Sequence, residues 1–317
     1  MASFSATGAA TAGFGVIGRA PLAVLAWGLV ILLALVGPMV GLMWSLAPQF
    51  IEMLKTMPDP ASSTSSATDS AMMARMMQFQ TSMMGVNLIS WVGGALVKAV
   101  VAGAVYRAVL QPDQKRWAYL RLGMPELWLG LVTLVQGVLF MMAYFAVVFI
   151  GLILGLILFL VGSAAGDAGK LVAGLLIALV ILAGIAVLVW GLLRLSMAGP
   201  MSFVESKFLL FESWAFTRGQ AGRLFGMAVL LILILIGLEL VLYAILGLAA
   251  FGSWAGIKAT VETLEGQPPQ AWLHAFWKIA AIGTVLLSFL AAFAMTLFYA
   301  PWAKAYQELA ASGAGKS

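Results

Sequence analysis

Apolar residues run along this chain in long unbroken blocks, with the polar residues gathered between the blocks rather than alternating within them. A helix needs about 20 residues to cross a hydrocarbon core of about 30 Å. Six blocks reach that length, roughly 21–46, 86–110, 126–161, 170–197, 224–251 and 275–299. The alternation that a membrane barrel requires is absent. The pattern predicts an all-α integral membrane protein, a single six-span domain over 1–317. The third block, at about 1.5 Å per residue, is too long for an upright crossing, which predicts tilt, protrusion or a bend near Gly151 and Gly155. Pro38, in "GPMVG", predicts a kink in the first span because proline removes a backbone donor. Glycines four apart (Gly37 and Gly41, Gly151 and Gly155, Gly162 and Gly166, Gly222 and Gly226) are candidates for close helix contact.

The first connection, 47–85, reads as an outer loop in two parts. "PDPASSTSSATDSA", from Pro58 to Ala71, predicts a flexible Ser/Thr-rich linker. A methionine-rich amphipathic segment flanks it, with Met53 and Met57 before and Met72, Met73, Met76, Met77, Met83 and Met84 after. Thioethers suit Cu(I), and Met72 with Met76, or Met73 with Met77, would share a helical face. No histidine or cysteine accompanies them, so an interfacial helix containing Phe79 is the better reading and no metal or other cofactor is expected. The apolar run from Ala20 to Ala47 exceeds a signal-peptide core, and Pro48 follows the small pair Ser45 and Ala47, so the first span is expected to stay uncleaved.

Charge fixes the expected orientation. Only 9% of the residues are charged and mean hydropathy is +1.06, which excludes a soluble globular domain. With the amino terminus inside, the inner loops hold Arg19, Arg107, Lys115, Arg116, Arg121, Arg194, Lys207, Arg218, Arg223, Lys304 and Lys316. The outer side holds Lys55, Arg75, Lys170, Lys258 and Lys278, leaving Lys98 within a span. This imbalance predicts both termini in the cytoplasm. Positive charges sit at span ends, without the basic blocks and interleaved aromatics of a nucleic-acid surface, so membrane lipids and a membrane-protein partner are the expected contacts.

"WAYLRL", from Trp117 to Leu122, and "WAFTRG", from Trp214 to Gly219, repeat a tryptophan-alanine-aromatic-x-arginine pattern. Each copy precedes a span and follows an arginine that ends the previous one, Arg107 or Arg194. Tryptophan settles at headgroup depth and arginine meets phosphate. Arg107, Trp117, Arg121, Arg194, Trp214, Arg218 and Arg223 are therefore the candidate lipid or partner interface. Met201 to Phe216 is expected to form one amphipathic helix on the inner face, with Val204, Phe208, Phe211 and Ala215 on one arc. "GFGVIGR", from Gly13 to Arg19, reads as a degenerate third copy.

The longer stretch "RLSMAGPMSFVESKFLLFESWAFTRGQAGRLFG", from Arg194 to Gly226, resembles a group of bacterial multi-span proteins related to the membrane domain of glycerophosphodiester phosphodiesterases. Arg194, Leu195, Ser196, Pro200, Glu205, Ser213, Trp214, Thr217, Arg218 and Gly219 carry the resemblance, while Phe211 and Glu212 depart from it. The resemblance implies a multi-pass protein of the bacterial inner membrane. Phosphodiesterase chemistry would require a separate catalytic domain, which the family pattern supplies only by fusion.

Ionisable residues inside spans mark pathways or pairs. Lys98 in the second span, Gln136 in the third, and Glu239 with Tyr243 in the fifth are the candidates, with Lys98 and Glu239 expected to neutralise each other if their spans adjoin. The single histidine, His274, lies between Trp272 and Trp277, and no nucleophile motif appears, so no enzyme is expected. The leading expectation is a non-catalytic membrane protein that binds lipid or a partner, in envelope or complex assembly. The alternative is a small transporter or channel using Lys98 and Glu239.

Overall fold

The computed structural model describes residues 4–55, 66–264, 266–267 and 269–313. Short helices α1 (Ala6–Ala10) and α2 (Ala12–Arg19) lead into a first span made of α3 (Pro21–Ile31), a π-helical turn (Leu32–Val36) and α4 (Gly37–Lys55). Helix α5 (Ser66–Leu110) returns, and a single 3-10 turn (Arg116–Tyr119) precedes α6 (Met124–Ala164). Helix α7 (Gly166–Leu195) is followed by the short α8 (Ala198–Glu205) and α9 (Glu212–Phe216). Then come α10 (Ala221–Gly252), α11 (Trp254–Leu264) and α12 (Pro269–Ala311). Six helical stretches are long and apolar enough to cross a membrane. Short helical segments precede the first, third and fifth of them.

Helix α12 is the hub, touching α1, α2, α3, α5, α8, α10 and α11. Half of the most apolar window of α5 is buried, against 6% in the third, fourth and fifth spans. The protein core is thus α3, α5 and α12, with the α6–α7 hairpin and α10 presenting most of their apolar surface outward. The main cluster packs Val24, Trp27 and Ile31 against Val97, Val101, Val105, Ala292 and Ala300. A second gathers Leu193, Met197, Leu224, Met227, Ala305 and Leu309 around Phe4.

Several expectations change here. Pro38 acts one turn upstream: the Gly37 N–H reaches back to Leu32 O, five residues away, so a π turn absorbs the missing donor. Helix α6 continues as one helix of 41 residues, about 62 Å, with open space around Gly151 and Gly155 and no bend there. Residues 66–71, expected in the linker, form the first turns of α5, while 56–65 lie outside the described residues. The methionine segment is not a separate interfacial helix; it continues into the second span as one helix of 45 residues. Met73, Met76 and Met77 are exposed on it, and the side chain of Met72 lies outside the described residues. Met201 to Phe216 breaks at Ser206, which takes a left-handed φ of 53°, and α8 is buried from Ala198 to Phe203.

Of the eight paired glycines, Gly162 serves a close contact between helices: a Cβ there would meet Gly169 O at 2.7 Å and Ala173 Cβ at 2.4 Å. A close crossing in the core uses Gly28 instead, where a Cβ would fall 2.4 Å from Phe289 Cδ1 and 3.0 Å from its Cα. Gly28→Ala is therefore expected to lower stability by about 1–3 kcal/mol through overpacking. Gly41→Ala, facing open space, should be neutral or slightly stabilising. Thermal melting in detergent checks the contrast, and equal melting temperatures would show that α3 and α12 do not depend on this approach.

Candidate functional site

The two arginines that close the second and fourth spans organise one end of the molecule. Arg107 lies in the last turn of α5, where a cation complements the helix dipole. It is 4% exposed, so the expected lipid contact does not exist. Its Nη2 donates to Glu126 Oε1, its Nη1 donates to Tyr119 O, and its guanidinium lies 5.2 Å from the centre of the Phe203 ring. Glu126 is the third residue of α6, and its Oε2 accepts from the Gly123 N–H at 3.0 Å, the carboxylate half of a capping box. The pair is therefore joined to both spans it connects.

Gly103 makes room for it. A Cβ there would lie 3.1 Å from both Cγ and Oε1 of Glu126. Tyr106 seals the neighbouring side, edge-on to Phe203 at 5.7 Å and to Tyr299 at 5.9 Å.

The first tryptophan motif is a left-handed turn. Trp117, Ala118 and Tyr119 have φ of 53°, 55° and 63°. For residues with a Cβ this conformation costs about 1–2 kcal/mol each and persists only when other contacts enforce it. Those contacts are present: Trp27 Nε1 donates to Ala118 O at 2.8 Å, Arg107 holds Tyr119 O, and the Tyr119 hydroxyl donates to Pro112 O at 3.2 Å. Tyr119 is buried and Trp117 is 87% exposed.

The second motif forms α9, yet its aromatics divide in the same way. Phe216 is buried and Trp214 stands partly exposed. Arg194 repeats the reach of Arg107, its Nη1 donating to Trp214 O at 3.3 Å. Its own carbonyl accepts from Ser213 Oγ at 2.8 Å and Thr217 Oγ1 at 3.2 Å, which ties α9 to the end of α7. The guanidinium lies beside a pair of rings, 5.6 Å from Trp190 and 5.4 Å from Trp214, and those rings meet edge-on at 4.8 Å.

The two arginines differ in charge balance. Glu126 stands nine residues after Trp117; nine residues after Trp214 stands Arg223, also third in its helix. The second unit thus carries a cation where the first carries a carboxylate. Among the described residues Arg194 forms no ion pair, and its enclosed Nε has no hydrogen-bond partner. Arg218 and Arg223 are exposed on the same connection, and Arg121 is exposed with its Nη1 on Gln114 Oε1 at 3.0 Å.

The mid-span residues do not converge. Lys98 is exposed on α5 and forms no ion pair among the described residues. Glu239 is exposed on α10, where its Oε1 accepts from the Tyr243 hydroxyl one turn away at 2.8 Å. The expected Lys98–Glu239 pair is absent: α5 and α10 each pack on α12, with no substantial contact to each other. Gln136 spends its amide on Leu195 O at 2.7 Å, closing the α6–α7 hairpin near Arg194. Glu126 and Trp190 escaped the sequence reading; the matched spacing from each tryptophan to the third residue of the next helix was the available signal for the former.

Comparison with protein-family models, with curated proteins and with solved structures finds no match to this chain.

Breaking a buried ion pair leaves one charge uncompensated, at about 3–5 kcal/mol, whereas replacing both partners with apolar groups is far milder. Arg107→Met and Glu126→Gln are each expected to destabilise strongly, and Arg107→Met with Glu126→Leu to recover much of the loss. Chemical denaturation of the three variants in detergent checks this, and additive losses would remove the pair from the account.

Proposed function

We propose that this chain is a non-catalytic multi-span protein of the bacterial inner membrane, both termini cytoplasmic, that binds an anionic phospholipid headgroup at its cytoplasmic face. One observation carries the reading: Arg194 lies against Trp190 and Trp214 with no carboxylate partner among the described residues, in the position where Arg107 has Glu126. A half-buried guanidinium with no carboxylate partner among the described residues can take an anion from outside the chain, and phosphate oxygens accept from such a group with charge-assisted bonds. The neighbouring tryptophans suit headgroup depth. Arg218 and Arg223 add positive potential beside it, and the excess of basic residues on this side agrees with the cytoplasmic assignment. The resemblance to the membrane domain of glycerophosphodiester phosphodiesterases rests on the same stretch, and binding a phosphodiester headgroup is compatible with it. Envelope or complex assembly is the process in which such a lipid-held scaffold would serve.

Transport through a Lys98–Glu239 relay loses its motivating geometry, since each residue faces its own surroundings. A double-mutant cycle of Lys98→Met and Glu239→Gln is expected to give no coupling in stability; a coupling of 1 kcal/mol or more would revive the relay.

The lipid reading is checked by native mass spectrometry of the detergent-purified chain with added phosphatidylglycerol. Loss of charge-assisted bonds of about 1.5–3 kcal/mol corresponds to tenfold or more in affinity. Arg194→Gln should weaken one phosphatidylglycerol per chain, the lipid of the clamp, by that factor at unchanged melting temperature, while Arg218→Lys should bind as before. Equal retention by Arg194→Gln would remove the clamp as a lipid site.

A further inference from the structure

A cavity of about 1080 Å³ opens at the opposite end of the molecule, between the first span, the outer part of α5 and the first turns of α12. Its origin is local. On one wall the π turn contributes Leu32 and Val36 beside Gly37. On the facing wall Ala280 and Ala281 recede from the larger Trp277 and Thr284. Among the described residues, apart from indole N–H groups, only Gln267 and Thr284 bring polar side-chain atoms to the lining.

The volume lies at the top of the range of about 300–1,000 Å³ typical of small-molecule sites. An apolar space of this size, open sideways from transmembrane helices, is a poor place for water and a good one for hydrocarbon. The rim is not neutral. Trp44, Trp272 and Trp277 are exposed there, as expected at headgroup depth, and Lys278 Nζ lies 6.0 Å from the centre of the Trp277 ring that lines the cavity. A cation beside an indole of an apolar groove's lining matches a molecule with apolar chains and an anionic head.

We propose that this groove seats the acyl chains of one anionic phospholipid of the surrounding bilayer, with its phosphate at Lys278. The site is independent of the Arg194 clamp, lies at the other end of the spans, and stands or falls separately.

The experiment uses the full chain in detergent, in wild-type and Arg194→Gln forms, titrated with phosphatidylglycerol and, separately, phosphatidylcholine under native mass spectrometry. With Arg194 replaced, one phosphatidylglycerol per chain is expected to remain, preferred about tenfold over phosphatidylcholine. Ala281→Trp, which fills the groove, should weaken that binding at least tenfold. Lys278→Gln, an exposed change that leaves the core untouched, should abolish the preference between headgroups and keeps the test valid if Ala281→Trp fails to fold. Undiminished phosphatidylglycerol binding in a folded Ala281→Trp variant would overturn the groove. So would an unchanged headgroup preference in Lys278→Gln, or the absence of any bound lipid once Arg194 is replaced. Loss of the clamp lipid alone in Arg194→Gln, with the second lipid retained, would leave both sites standing.

Discussion

The buried pair of Arg107 and Glu126 is the constraint on which this end of the molecule depends. It joins the last turn of α5 to the first turn of α6, and through Tyr119 O it also fixes the chain between them. A left-handed run of three residues with side chains is unfavourable by itself, and here it is held from three directions by Arg107, Trp27 and Pro112. Because Trp27 belongs to the first span, the same contacts align three of the spans at one depth. Pairs of this kind specify an arrangement more than they stabilise it, since an apolar replacement of both partners is often tolerated.

The second unit uses the same plan with one partner changed. An arginine again ends the span and again reaches a carbonyl of the tryptophan motif, but the residue in register with Glu126 is Arg223. Hydroxyls of Ser213 and Thr217 take over the structural duty by capping the carbonyl of Arg194 rather than its side chain. The guanidinium therefore has no internal ion pair among the described residues and lies against two indoles. In the proposed function, a structural device of one unit becomes a binding device of the other.

Much of the architecture was legible in the sequence because it depends on length and hydropathy, which a bilayer reads directly. The six spans, the hairpin turn near Gly166 and the perturbation near Pro38 follow from those quantities. What the sequence hid was pairing. Arg107 and Arg194 look alike in one dimension, and only packing reveals that one is buried against a carboxylate while the other faces aromatic rings. Lys98 and Glu239 look like partners by depth, yet depth says nothing of which helices adjoin. The methionine segment shows the converse: its amphipathic composition suggested a separate helix, but nothing after Ser66 breaks the helix before Leu110.

The most direct measurement is to restore in the second unit the carboxylate that the first unit has. Arg223→Glu places an acid in the register that Glu126 holds in the first unit, and the bound phosphatidylglycerol of the purified chain is then counted by native mass spectrometry. If Arg194 awaits an external anion, the internal carboxylate should weaken the clamp lipid at least tenfold, lowering the count by one per chain, while the protein melts at the same or a higher temperature. Lipid retention equal to that of the unaltered chain, in a folded variant, would contradict the account.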